Sequence, residues 1–446
     1  MRAVVTGQIG MDKKQYLDSV AALARERGLR LPVYHLGDMM YAEAPDIRTG
    51  RILDLPLSRL TSLRRAAIKD VIAATSPPEN HPDFILNTHA TFRWRHGLFA
   101  AFDLDQMAKL RPNMFICLVD NIEVVHERLH RDHEIDATLK DCMVWREEEI
   151  LATELLAQAC AAPGIAGLET RSTGHGSETR ATTDNVPFYI LSRGRHVETI
   201  ETCLRLVTRR DMRKVYPSFP MSHVVDMPDV LREIDDFRAE LAKHFITFDP
   251  GDVDEKLLLE RAIVAAREGR EWIEMEESPG GSALRAEMVS PALRAGGAAE
   301  EEERTARRAV PPGTGPRPVP PGPAPPEAGR RPAPPRRVSI REVLDIAGDI
   351  DGQIYMRDFR LIDQSDMIVS YIPELPGGMP GLSSGVEREL QHAFEHTKEV
   401  YVVWKPKKTP SPFITETATK IFSSVDEAMK HFERKGMFAS CDLFGN

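Results

Sequence analysis

Apolar residues follow two patterns along this chain. Unbroken runs such as Ala3-Val4-Val5, Phe84-Ile85-Leu86 and Met114-Phe115-Ile116-Cys117-Leu118-Val119 are bounded by polar turns. Longer stretches carry apolar residues three and four apart. The first pattern fits short strands buried on both faces, and the second fits amphipathic helices. The runs predict strands over residues 2–6, 31–36, 83–87, 114–120 and 188–191, with helices over 14–27, 60–74, 122–131, 143–161 and 197–207. A polar stretch rich in Thr and Gly, 164–185, predicts a loop. The alternation then restarts, with strands over 214–217, 246–248, 367–372 and 400–404. Helices over 230–245, 257–268, 351–363, 385–397 and 425–432 separate or follow these strands. Strands alternating with helices predict an α/β fold of parallel sheets covered on both faces. The restart predicts two such three-layer domains, 1–209 and 210–446.

Residues 278–337 interrupt the second domain. They are rich in Pro, Gly, Ala, Arg and Glu, and about every second residue from Pro311 to Pro335 is Pro. Such a segment buries too little apolar surface to offset its ordering entropy, so a disordered insertion is expected.

Composition narrows the classes. The 446 residues carry a formal net charge of −10, which argues against general affinity for nucleic acid or an anionic membrane. The five cysteines are scattered, with no CxxC pair or zinc spacing, so free thiols in a reducing cytoplasm are expected. The start of the chain does not read as a signal peptide, and no apolar run approaches the ~18 residues that span a bilayer.

Two loops carry candidate chemistry. The first strand ends in Thr6-Gly7-Gln8-Ile9-Gly10-Met11-Asp12-Lys13-Lys14 and opens a helix, the place of a phosphate-binding P-loop. Gly7 fits the first glycine of that pattern and Lys13 its lysine. Asp12 stands where the last glycine belongs. Lys14 replaces the hydroxyl that would hold Mg2+. The second loop leads into Ser383-Ser384-Gly385-Val386-Glu387-Arg388-Glu389. A helix start supplied with Ser and Gly suits a small anion, and Glu389 follows one turn later.

Residues 1–208 resemble the archaeal-type adenylate kinases and related nucleoside monophosphate kinases. The matching segments are Val4-Val5-Thr6-Gly7, His35-Leu36-Gly37-Asp38-Met39-Met40, Asn87-Thr88-His89-Ala90-Thr91 and Pro112-Asn113-Met114-Phe115-Ile116. The resemblance implies a P-loop kinase fold that binds a nucleotide through Gly7, Gly10, Lys13, His89, Arg128 and Arg131, with ATP and Mg2+ as its candidate ligands. Asn87 stands where an acidic residue could help hold that metal. A nucleotide-binding domain with little or no turnover, an active phosphotransferase and a structural relic all remain open.

Residues 213–276 and 338–435 resemble the nucleoside 2-deoxyribosyltransferase superfamily, in its 2'-deoxynucleoside 5'-monophosphate N-glycosidase branch. Tyr216, Asp358, Asp366 and Ser383-x-Gly385-x-x-x-Glu389-x-x-x-Ala393 carry the likeness. It implies a flavodoxin- or Rossmann-like domain that cleaves the N-glycosidic bond of a nucleoside monophosphate without cofactor or metal. Glu389 would attack or activate water at C1', Asp366 would orient the base and relay a proton, and Tyr216 would position Glu389. Ser383 and Gly385, with Ser218, Ser222 and a Ser411 reaching toward a neighbouring subunit, would hold the phosphate. A homodimer is implied, with a nucleoside monophosphate as its small-molecule partner. Two alternatives stay open: a non-catalytic nucleotide sensor, and a deoxyribosyltransferase.

Overall fold

A computed structural model describes residues 1–48, 50–76, 83–94, 97–161, 186–194, 198–221, 224, 226–274 and 337–439. The chain is α/β, with two five-stranded parallel sheets. The first contains β1 (Arg2–Thr6), β2 (Val33–His35), β3 (Phe84–Asn87), β6 (Met114–Val119) and β7 (Phe188–Ser192), in the order β2-β3-β1-β6-β7. Between β3 and β6 lies an antiparallel hairpin, β4 (Thr91–Trp94) with β5 (Gly97–Ala100). The second sheet contains β8 (Lys214–Ser218), β9 (Ile246–Thr247), β12 (Met367–Ile372), β15 (Glu399–Trp404) and β16 (Lys420–Phe422), in the order β16-β15-β12-β8-β9. All six residues of β6 and of β12 are buried. That explains why both read as unbroken apolar runs.

The second sheet draws β8 and β9 from before the interruption and β12, β15 and β16 from after it. The interruption is therefore an insertion within one sheet, as the restarting alternation predicts. Its ends are joined by a small antiparallel pair, β10 (Trp272–Glu274) with β11 (Arg337–Ser339). Arg337, expected at the edge of the disordered segment, is thus a strand residue opposite Glu274. Residues 275–336 lie outside the described residues, as does the whole of the loop expected at 164–185.

The expected helices are present with shifts of a few residues at their ends. The helix Ala347–Asp363 begins four residues before its expected start. Several short elements carry too little periodicity to have been expected: the β4–β5 hairpin, the helices Leu36–Ala42 and Leu104–Leu110, and β16.

The two sheets share a core. One hydrophobic cluster runs from Val5 and Leu17 through Leu204 to Leu258, Ile362 and Leu390. At the edge of the first sheet, Gln364 closes β7 with two amide bonds. Its Nε2 donates to Ile190 O and its Oε1 accepts from Ile190 N, both at 2.8 Å. Pairing an edge strand with a side chain satisfies groups that would otherwise be orphaned. Among the described residues no helix is long and apolar enough to cross a membrane.

Candidate functional sites

The phosphate loop lies between β1 and the helix Lys13–Glu26. Gly7 has φ 143°, and a Cβ there would sit 2.8 Å from the Leu118 carbonyl oxygen. Gly10 has φ 83°, and a Cβ there would press on Leu129 and Val125 at 3.1–3.2 Å. Both positions need glycine. Asp12, in the place of the last glycine, also takes the left-handed conformation, at φ 47°. Its carboxylate lies 3.4 Å from Arg128 Nε and 3.8 Å from Arg193 Nη1.

Lys13 is buried, and its Nζ donates to Gly7 O at 2.6 Å and meets His89 at 3.1 Å. Burial lowers its ammonium to about 8, against the pull of Glu149 and Cys117. Burial, and then the charge of Lys13, push His89 well below its usual range, so its ring stays neutral. Glu149, on the helix Leu139–Ala161, secures the loop. Its carboxylate accepts from Gly7 N at 3.2 Å, Ala90 N at 2.7 Å and Thr91 N at 3.0 Å. Arg128 donates to Asp120 at 2.9 Å, and Arg193 lies 3.7 Å from the same carboxylate. Arg131 instead faces outward, held by Asp132 at 2.6 Å and Glu127 at 3.3 Å. The structure therefore gathers Gly7, Gly10, Lys13, His89 and Arg128 and leaves Arg131 on the rim.

Both amide atoms of Gln8, in the loop itself, and Nη1 of Arg193 are buried without a hydrogen-bond partner among the described residues. Unsatisfied donors beside glycine-shaped backbone fit an incoming phosphate. The positions that would hold Mg2+ fit it poorly. Lys14 pairs with Asp38, and the Asn87 amide nitrogen lies 2.9 Å from His35 Nδ1. The nearby carboxylates of Asp12 and Asp120 already face arginines.

The second site stands at the C-terminal edge of the second sheet, where open α/β sheets place their ligands. The helix Ser384–Glu395 buries Val386, Leu390 and Ala393. This spacing of three and four brings Glu389, on the flank of the same face, over β8. Tyr216 Oη donates to Glu389 Oε1 at 3.1 Å, and Ser218 Oγ donates to Oε2 at 2.6 Å. Ser370, opposite Ser218 in register, donates to Ser218 Oγ at 3.4 Å. Burial, and then the charge of Asp358, push Glu389 up to about 8, against the two hydroxyl bonds. Burial also raises Asp358 to about 7, although Arg357 pulls it down.

Asp358 is the carboxylate whose charge acts on Glu389, and the structure does not bring Asp366 to it. Asp366 accepts from Lys214 N at 2.8 Å, at the N-terminal ends of β8 and β12. Glu389 engages Ser218, four residues further along β8, or about 13 Å at ~3.3 Å per residue. The sequence reading gave the proton relay to Asp366 and no role to Asp358.

Ser383 caps the Glu389 helix, its Oγ accepting from Val386 N at 3.2 Å. Among the described residues no acceptor takes the N–H of Ser384 or Gly385, as expected at the first turn of a helix. A Cβ on Gly385 would meet only Ser383 Oγ, at 3.6 Å, so the approach is open. Ser218, expected on a phosphate, is instead bonded to Glu389. Ser222 lies outside the described residues. Ser411 is exposed at the N-cap of the short helix Pro412–Thr415, after β15.

The Glu389–Asp358 pair makes stability depend on pH. Both folded-state values stand above those of free carboxyl groups, so the folded chain holds protons that the unfolded chain releases. The stabilisation is complete below about pH 4 and is lost as pH rises through 7 to 8. Between those limits the unfolding free energy is expected to fall, by at most ~1.4 kcal/mol per pH unit for each proton held. In Glu389→Gln the slope is expected to be shallower. Equal slopes in urea titrations at several pH values would contradict the pairing.

The model of the AAA domain family matches residues 6–144. The N-terminal region is thus a P-loop, kinase-like nucleotide-binding domain. Among solved structures, the chain is similar to an uncharacterized protein from Eubacterium ventriosum. That match has 7% identity and a TM-score of 0.22, and covers 46% of this chain and 95% of the other. No curated protein gives a significant match.

Proposed function

We infer that the C-terminal half hydrolyses the N-glycosidic bond of a nucleoside 5'-monophosphate, releasing free base and a (deoxy)ribose 5-phosphate. The observation that carries this reading is the Glu389 carboxylate, held by two hydroxyl donors beside Asp358 and one turn from an open helix N-terminus. Glu389 accepts both hydroxyl hydrogens, which favours its ionised form. Without substrate Glu389, at about 8, holds its proton more tightly than Asp358, at about 7, so this reading requires that a bound substrate leaves Glu389 ionised and the proton on Asp358, whose Oδ1 has no hydrogen-bond partner among the described residues. One ionised and one protonated carboxyl group supply an attacking carboxylate and an acid, the combination a glycosidic bond needs. With phosphate at Ser384 and Gly385, C1' would face Glu389 and the base nitrogen would take the proton from Asp358. Positive charge grows on the sugar ring as the bond stretches, and the Glu389 carboxylate stabilises it. Water then completes the hydrolysis. The reading is tested by chromatographic detection of free base from a panel of ribo- and deoxyribonucleoside monophosphates. Base release accelerated by an added acceptor base would favour the transferase alternative.

The N-terminal domain would bind the phosphates of a nucleotide on the Gly7–Lys13 loop, with Arg128 and Arg193 as further cations. No step through Mg2+ follows from Lys14 and Asn87. Asp12 opposes the ligand twice, through its charge and its left-handed backbone. Asp12→Gly is expected to tighten ATP binding about tenfold, or ~1.4 kcal/mol. Calorimetry showing equal or weaker binding would remove Asp12 from the site. If neither half turns over, both pockets become sensors, and ligand-induced stabilisation without product would show it.

A further inference from the structure

Apart from both sites, the ends of two helices bring Asp363, His392 and His396 together. Asp363 ends the helix Ala347–Asp363; His392 lies in the last turn of Ser384–Glu395, and His396 is its C-cap. The donor atoms of all three lie within 4.8 Å of one another. His392 Nε2 is 2.8 Å from Asp363 Oδ1. His396 Nδ1 is 2.9 Å from the His392 carbonyl oxygen. A carbonyl only accepts, so that Nδ1 carries the hydrogen and the neutral ring keeps its lone pair on Nε2. Metal-bound imidazoles are commonly held this way, with the second ring nitrogen donating to a carbonyl or carboxylate. The His392 ring is stacked on Phe359, with centroids 4.3 Å apart and planes 14° apart, which restrains its orientation.

We propose that Asp363, His392 and His396 bind one divalent transition-metal ion of the zinc, nickel or cobalt class. Two imidazoles and one carboxylate select these ions over magnesium and calcium, which take oxygen ligands. Three protein ligands leave a position for water. Ligand bonds of ~2.0–2.2 Å require the donors to close by about 1 Å or less. Asp363 and His396 are exposed, and that freedom allows the closure. The ion replaces the proton shared by His392 and Asp363, and the proton passes to solvent. Lys398 does not compete for the carboxylate: its ammonium donates to the backbone oxygens of Asp363 and Ser365, both at 2.6 Å. Asp363 lies five residues after Asp358, and His392 three after Glu389. The ion therefore ties together the two helices that carry Asp358 and Glu389.

The test is calorimetric titration of the full chain, stripped with EDTA, using zinc and nickel chlorides. One ion per chain is expected, with no comparable magnesium binding. His396→Ala and Asp363→Asn should each weaken zinc at least about tenfold while leaving the circular dichroism unchanged. Cobalt should give a visible absorption band in the wild type that is lost in both variants. Absence of a one-to-one event would overturn the site, as would variants that bind zinc and cobalt like the wild type. The readout is metal binding, so the outcome is independent of the glycosidase reading.

Discussion

Glu389→Gln is expected to slow release of free base from a nucleoside 5'-monophosphate by about a thousandfold or more. Glutamine preserves the size and most of the packing of the side chain. It lacks the charge that stabilises an oxocarbenium-like ring, and it cannot attack C1'. A thousandfold loss is ~4 kcal/mol of transition-state stabilisation, the range of a preorganised electrostatic contact in a water-poor site. Asp358→Asn should act differently. If Asp358 protonates the leaving base, its loss should be mildest for bases that depart easily and largest for those that depart poorly. Asp366→Asn should leave turnover near wild type, because its carboxylate lies on Lys214 at the other end of the sheet. Equal rates for wild type and Glu389→Gln across the panel would end the enzymatic reading. Strong binding of a nucleoside monophosphate without any product would favour the sensor.

Glu255→Ala is expected to lower stability by about 3–5 kcal/mol. Glu255 is 1% exposed and lies between Arg146 and Arg357, which are 4% and 6% exposed. Burial opposes its ionisation, but the two guanidinium groups hold it down at about 2. Arg146 also donates to Asp120 O at 3.3 Å and to Gln353 at 2.8 Å. Arg357 also donates to the Val253 carbonyl. Removing the carboxylate leaves two buried guanidinium groups whose nearest remaining counter-charge is Asp358, 3.9 Å from Arg357 Nε. Arg146 lies on a helix packed against β6 and Arg357 on one packed against β8, so the loss should appear in the unfolding of both halves. It would be read as a lower urea midpoint by circular dichroism. Replacing all three with Leu or Met should restore stability to near wild type, because the desolvation of the charges disappears with them. A Glu255→Ala protein with an unchanged midpoint would show that water already neutralises the triad.

The candidate sites were legible to different depths. Glu389 and Tyr216 were visible as a spaced set, and the structure joins them at 3.1 Å. Gly7, Gly10 and Lys13 were visible because a strand, a tight turn and a helix must follow one another around a phosphate. Asp358 was in view but was given no role. Its place beside Glu389 depends on how one helix rotates against another, which linear spacing does not encode. Arg193, Asp120 and Glu149 were missed. Asp120 ends one predicted strand and Arg193 follows another, and the rule that ligands gather at C-terminal strand ends could have flagged them. Glu149 sits mid-helix, and nothing in its neighbourhood marks it as the acceptor for the loop. Ser218 was placed on the phosphate because serine donates to phosphate and carboxylate alike, and only the fold shows which is near.

The sequence by itself determined the α/β class, the two rounds of strand and helix, the insertion within the second round, and the helix starts that can receive an anion. These follow from period, turn chemistry and local sterics, which act within a few residues. Tertiary structure alone decided which carboxylates face each other, which arginines neutralise Asp12, and that Glu255 stitches the two halves together. Those outcomes depend on charges brought close across long stretches of chain and taken out of water together, and their energies exist only once the sheets have packed.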